Sequence, residues 1–229
     1  MRIVIGLAIL TLVCACAFSP TPRPIVAPTM VSPVSPQTIV LPEPQLKGTL
    51  SLEEALATRR SVREFADEDL SLAEIGQLLW AAQGITSSVG QRTAPSAGGL
   101  YPLQVYIVLR DGVYHYELAT HQLRARSPGD VRPALFVASL EQGSITSAPS
   151  TIVIAAVFAR TAVKYGDERT PRYVHFEAGH ATQNVLLQAV ALNLGAVPIG
   201  AFYDAQVKQV LALPSDQVPL YLIPVGRRK

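Results

Sequence analysis

Downstream of Lys47 the polar and apolar positions recur with helical and strand periods in alternation. Ser51-Leu-Glu-Glu54 and Ser71-Leu-Ala-Glu74 both have the Ser-x-x-Glu spacing of a capping box, in which the side chains satisfy free N–H groups at a helix start. The second helix, about 71–83, places Leu72, Ile75, Leu78, Leu79 and Ala82 on one face and stops near Gly84. Val105 to Leu109 is apolar and β-branched, Asp111-Gly112 is a turn signal and 113–118 alternates, which predicts a β-hairpin. A helix at 130–140, a buried strand at 151–158 and a long helix at 171–193 follow. In that helix Val174, Ala178, Ala181, Val185, Ala189 and Leu192 form a stripe of mostly small residues, suited to a core or to a dimer seam. A strand at 196–202, a helix at 204–212 and a strand at 218–225 complete the pattern. Interleaved helices and strands with a hairpin predict a mixed α+β fold rather than a doubly wound sheet.

The first fifth of the chain has a different pattern. Ile3 to Ala15 is an apolar run after a single basic residue, Arg2, and its length suits a secretory hydrophobic region rather than a bilayer span. It ends in Val13-Cys14-Ala15-Cys16, which resembles the lipobox of bacterial lipoproteins and makes Cys16, with Cys14 as the alternative, the expected acylated residue. From Ala17 to Lys47 eight of 31 residues are proline, which excludes helix and predicts an extended tether of up to about 95 Å. The expected organisation is therefore a signal peptide at 1–16, a linker at 17–47 and one domain at 48–229, lipid-anchored in the cell envelope on the periplasmic or extracellular face.

Composition then narrows the chemistry. With 49% apolar and 16% charged residues a folded core is expected. Nineteen basic against seventeen acidic residues give a net charge of +2, too little for a protein that coats nucleic acid. Both cysteines lie in the leader, so the mature domain has no thiol for a disulfide, cluster or nucleophile. His175 and His180 are five apart, about 140° around a helix, and no metal site is expected.

Four local features carry candidate chemistry. Arg59, Ser61 and Arg63 fall at alternate positions and would share one side of an extended segment, with Arg60 beside them, offering forked donors to a phosphate. The equally simple alternative is a solvated basic patch at a helix end. Pro95-Ser96-Ala97-Gly98-Gly99 brings bare backbone and a hydroxyl toward a flat ligand, or is only a tight turn. Ala94-Pro-Ser96-Ala-Gly98 also approximates a nucleophile elbow, which keeps a Ser96 hydrolase among the alternatives. Lys164-Tyr165-Gly166 could present a base and a phenol from a loop at the end of the buried strand. Gly195 to Phe202 again exposes backbone, and Arg227-Arg228-Lys229 ends the chain in positive charge.

Taken in order, the Arg59-x-Ser61-x-Arg63 element, the Pro95–Pro102 loop, Lys164-Tyr165-Gly166, the Glu177-Ala-Gly-His-Ala-Thr-Gln-Asn184 run and Pro198-Ile199-Gly200-Ala201-Phe202 resemble the nitroreductase superfamily, in its SagB-type thiazole/oxazole dehydrogenase branch. That resemblance implies a largely antiparallel sheet flanked by helices, a homodimer and FMN at its interface. It implies that Arg59, Ser61 and Arg63, with Arg60 and with Arg227 or Arg228, hold the phosphate and ribityl end. Pro95, Ser96, Ala97, Gly98 and Gly99 would lie along the flavin, with Asn184 nearby, and the backbone of Pro198, Ile199, Gly200 and Ala201 would approach its N5 edge. Lys164 and Tyr165 would be the catalytic pair in azoline dehydrogenation of a small or peptide-borne substrate. A flavin-binding module without turnover is the second reading.

Overall fold

The computed structural model describes residues 38–229. The apolar segment 3–15, Cys14, Cys16 and the linker up to residue 37 lie outside the described residues. Seven strands form one sheet in the order β1-β4-β3-β2-β5-β7-β6: β1 (Thr38–Val40), β2 (Leu103–Leu109), β3 (Gly112–Glu117), β4 (Gln122–Pro128), β5 (Ser150–Ala156), β6 (Leu194–Ala196) and β7 (Val218–Arg227). All pairings between these strands are antiparallel, as the α+β expectation required. The helices are α1 (Leu52–Thr58), α2 (Leu72–Gln83), α3 (Arg132–Ala138), α4 (Ser144–Ser147), α5 (Phe158–Ala191) and α6 (Asp204–Val210). Both predicted capping boxes form, with Ser51 and Ser71 accepting from the N–H of Glu54 and Glu74 and each glutamate returning to the cap N–H.

The middle strands β2 and β5 are buried at nearly every position because helices cover both faces. Leu103, Val105 and Ile107 of β2 and Ile152 and Ile154 of β5 pack with Leu78, Leu79 and Ala82 of α2 and with Val174, Ala178, Ala181, Val185 and Ala189 of α5. The alternate residues Tyr106, Val108, Val153 and Ala155 face Leu135, Ile145 and Val207 of the short helices. Period-2 side-chain alternation therefore feeds two cores, and each fully buried leucine contributes roughly 1.5–3 kcal/mol relative to exposure. The small-residue stripe of α5 is consumed here: its alanines let α5 close on α2 and the sheet within one chain, so the seam reading of the stripe is corrected.

Other boundaries also move. Residues 38–47, expected in the tether, belong to the domain: Thr38–Val40 pairs with Gln122–Arg124 of β4, Leu41 is buried, and Gln45 exchanges two hydrogen bonds with Gln77. A short edge strand tolerates prolines just beyond it, which is why the composition masked it. Strand β4 was not expected either, because only Leu123 of Gln-Leu-Arg-Ala-Arg-Ser-Pro is buried. The long helix begins at Phe158 rather than 171, and a break at Gly166 (φ 69°, ψ 166°) divides it, so Lys164-Tyr165 ends a helical segment instead of lying in a loop. Finally, β6 is only three residues long, the rest of 196–202 holding to β7 through the Val197 N–H on the Pro224 carbonyl and the Ile199–Leu222 pair, and the hairpin turn is Arg110-Asp111 with Gly112 opposite Leu109.

Leu41→Ala tests the first of these. Removing a side chain that is 4% exposed and packed on the main core should cost about 2–4 kcal/mol in urea unfolding followed by Trp80 fluorescence. A free tether would give no change.

Candidate functional site

Helix α1 hands the chain to an extended segment. Arg59 leaves helical geometry (φ −56°, ψ 124°), and the next residues run beside β6. Ser61 bridges Ala196 in parallel, the Val62 N–H donates to the Ala196 carbonyl (3.1 Å), and the Ala66 N–H donates to the Arg227 carbonyl (3.0 Å). Gly195 permits this approach, since a Cβ there would lie 2.7 Å from the Val62 Cβ. Arg59 has extended dihedrals and Ser61 forms a strand-like bridge, the backbone form in which alternate residues share a side. Among the described residues no carboxylate lies within ion-pair distance of Arg59 or Arg63. Arg228, bridged to Phe65 through the backbone, rests its Nε on the Leu194 carbonyl at the same edge.

Two predicted members are committed elsewhere. Arg60 folds back to donate to the carbonyls of Ala57 and Arg59, closing the helix C-terminus. Arg227 pairs with Glu68 and Glu74, which hold its guanidinium above the ordinary arginine range. Next along the edge, Ile199 N–H and C=O both bond Leu222, so the flanking Gly200 and Ala201 remain exposed. Gly200 lines a cavity of about 340 Å³ with His175, Ala178, Phe202 and Tyr221.

The second grouping surrounds the glycine loop. The Ala97 N–H donates to Glu177 Oε1 (2.9 Å) and the Tyr101 N–H donates to Ser96 Oγ (2.8 Å). Gly98 and Gly99 are both left-handed (φ 63° and 68°), and a Cβ on Gly98 would stand 3.0 Å from Lys164 Nζ and 3.1 Å from Tyr165 Oη. The loop and the Lys-Tyr pair, 66 residues apart in sequence, are thus one site. Asn184 holds the loop's approach by donating to the Thr93 carbonyl (3.1 Å), and it borders a different groove, beside Trp80 and Leu187. No histidine bonds Ser96, whose oxygen caps its own turn between a proline and a 3-10 turn, so the hydrolase alternative lacks a histidine base.

Glu177 was missed as a site residue. It is 4% exposed, and burial pushes its carboxyl up, opposed by the Ala97 N–H, the Ser96 hydroxyl, His180 and Arg92. The available signal was a carboxylate inside the apolar stripe, between Val174 and Ala178. Because its folded pKa exceeds the unfolded one, its effect favours folding below the unfolded glutamate pKa and is lost as pH rises through the raised value. The Tm of Glu177→Gln minus that of the parent should therefore increase across this window in calorimetry. A pH-independent difference would mean that folding leaves the Glu177 pKa unchanged.

The sequence profile of the nitroreductase family matches residues 56–227. The chain belongs to the nitroreductase family. A candidate nitroreductase of Methanocaldococcus jannaschii is 43% identical over 185 residues, covering 78% of this chain and 92% of its relative. The crystal structure of a candidate nitroreductase from Ralstonia eutropha superposes with a TM-score of 0.74 at 29% identity, over 87% of this chain and 97% of that one. The NADPH:FMN oxidoreductase of Vibrio harveyi, solved with NAD+, shares the fold at a TM-score of 0.58 and 20% identity, over 78% and 69% of the two chains. The nitroreductase fold thus brings the five sequence elements into two groupings. In one, the segment carrying Arg59, Ser61 and Arg63 runs beside Ala196, at the edge that also holds Arg228 and precedes Pro198–Ala201. In the other, Pro95–Gly99 meets Lys164, Tyr165 and Glu177.

Proposed function

We propose that this nitroreductase-family chain is an FMN-dependent oxidoreductase, acting as a homodimer and attached in the cell envelope through a lipid on Cys16. The observation that carries the proposal is the row of Arg59, Ser61 and Arg63. Two guanidinium groups with no carboxylate partner among the described residues and one hydroxyl alternate along a segment pinned to β6, a donor set that suits a phosphate. Exposed Gly200, whose added Cβ would have only Tyr221 within 4 Å, at 3.9 Å, leaves room for a ring edge against the backbone. The FMN of the Vibrio relative's name and of the family resemblance fits these parts. Bound FMN supplies hydride acceptance and donation. The chain supplies the clamp through Arg59, Ser61, Arg63 and Arg228, and bare backbone at Gly200.

Sheet geometry supports the dimer. Ala196 pairs with Val225, which pairs with Ser150 at the start of β5, whereas Leu103, just after the glycine loop, pairs with Ala156 at its end. Seven residues of β5 put the two groupings about 20 Å apart along the strands. A second copy related by two-fold symmetry would bring its own loop to each clamp.

The test is anaerobic reduction of the FMN-loaded protein, following flavin bleaching with NADH and reoxidation on adding a quinone. Bleaching with dithionite alone and no reoxidation by quinone would leave only a flavin-binding module.

Lys164 and Tyr165 favour a second, narrower reading: dehydrogenation of an azoline ring. Here bound FMN would accept hydride from carbon, and the proton on the neighbouring atom would pass to Tyr165 Oη in its phenolate form, with the Lys164 ammonium beside it. Both groups crowd Gly98 in the ring loop. Lys164→Ala should retain FMN and slow oxidation of a thiazoline by about 10²–10⁴-fold. Equal loss of flavin would make the residue structural.

A further inference from the structure

Resting on the flavin reading, we propose that the rim of the glycine loop is an anion subsite, built from Arg92, Arg160 and Lys164. It would bind the carboxylate, sulfonate or phosphate of the reactant that meets the flavin. Arg160 and Lys164 are four residues apart in the first segment of α5 and share a face. Both arrive at the loop: Arg160 Nη1 donates to the Tyr101 carbonyl (3.2 Å), and Lys164 Nζ lies 3.0 Å from the position of a Gly98 Cβ. From the other side the Arg92 guanidinium carbon sits 4.1 Å above the Tyr101 ring, fixed by a bond from Nη1 to Gln83 (2.9 Å). Three cations thus converge on the four residues from Gly98 to Tyr101.

The convergence of these charges is what makes this a ligand argument. Four arginines elsewhere are neutralised by carboxylates, Arg110 by Asp67 and Asp69, Arg132 by Asp130, Arg124 by Glu117, and Arg227 by Glu68 and Glu74, whereas Arg92 keeps its buried Nε without a hydrogen-bond partner among the described residues. Among the described residues none of the three loop cations has a carboxylate within 4 Å. Glu177 attracts Arg92, but it is buried and already accepts the Ala97 N–H. Arg160 is the third residue of α5, where a cation opposes the helix dipole, and it also repels Arg92. Local stability does not favour such a placement, and an incoming anion does. The Tyr165 ring, tilted 45° against Tyr173 with centroids 4.4 Å apart, gives the subsite an aromatic wall.

The experiment uses full-length, FMN-loaded protein and four reactant pairs. The acceptor is 4-nitrobenzoate or uncharged 4-nitrobenzyl alcohol. The donor is NADH or phosphate-free 1-benzyl-1,4-dihydronicotinamide. Each turnover takes hydride from the donor and a proton from water, and converts the nitro group to nitroso with release of water. Arg160→Glu should lower kcat/KM about tenfold or more for the charged reactant. It should leave the uncharged pair and the flavin content unchanged. A loss that follows nitrobenzoate with either donor places the acceptor's carboxylate in the subsite, and one that follows NADH with either acceptor places the donor's phosphate there. Equal effects on all four pairs, or none, overturn the proposal. Arg160→Gln, which keeps an amide donor for Tyr101, gives a smaller loss of the same selectivity and serves if the reversal misfolds. If the protein takes up no FMN, the flavin reading falls. Calorimetric titration with nitrobenzoate and nitrobenzyl alcohol then still decides the subsite, and absence of a preference for the anion that Arg160→Glu removes overturns it.

Discussion

Replacing Arg59 and Arg63 together by alanine empties the flavin site and leaves the fold standing. Neither side chain has a carboxylate partner among the described residues, so their removal orphans no buried charge. The segment that carries them is pinned by backbone bonds at Val62 and Ala66, which alanine keeps. Each charge-assisted bond to a phosphate is worth about 1.5–3 kcal/mol, so the pair should weaken FMN binding by roughly 10²–10⁴-fold. Fluorescence quenching of added FMN reads the affinity, and circular dichroism reads the fold. An unchanged affinity would show that these guanidinium groups do not hold the phosphate. Arg60→Ala is the control: its guanidinium is occupied by the Ala57 and Arg59 carbonyls, and affinity should change little.

Gly195→Ala should damage the same site from beneath. The added Cβ would lie 2.7 Å from both the Cβ and a Cγ of Val62, closer than packed carbons approach, and neither neighbour is the free end of a flexible side chain. The strand bearing Arg59, Ser61 and Arg63 must therefore shift away from β6. Overpacking of this kind costs about 1–3 kcal/mol of stability. Moving the clamp relative to Gly200 should also cost most of the FMN affinity. Pairing Gly195→Ala with Val62→Gly removes the colliding atoms and should restore part of the binding. If Gly195→Ala binds FMN as the parent does, the register between this strand and β6 does not position the site.

Much of this was legible before the structure because local rules and tertiary packing agreed. The two Ser-x-x-Glu boxes start helices where they stand, and the apolar runs read at 105–109 and 151–158 become the middle strands at 103–109 and 150–156. The extended backbone expected around Ser61 appears in its pairing with Ala196. The errors arose where long-range contacts decide. Thr38–Leu41 looks like tether until β4 supplies a partner, and β4 itself carries one buried residue. Lys164-Tyr165 looked like loop because the helical stripe was read only from 171, yet the helix runs up to Gly166 before the backbone turns left-handed. Arg60 and Arg227 could not be separated from Arg59 and Arg63 by residue type. Only the neighbouring carbonyls and carboxylates distinguish an occupied guanidinium from one available to a ligand. Glu177 was hidden for the same reason, since its role depends on an N–H 80 residues away.

Flavin uptake by the purified full chain tests the central claim most directly. Incubated with FMN and desalted, the protein should remain yellow with one flavin per protomer and melt several degrees higher than the flavin-free sample, as a ligand at about 100 times its Kd adds about 2.7 kcal/mol. A colourless protein whose Tm does not move with FMN would contradict the account.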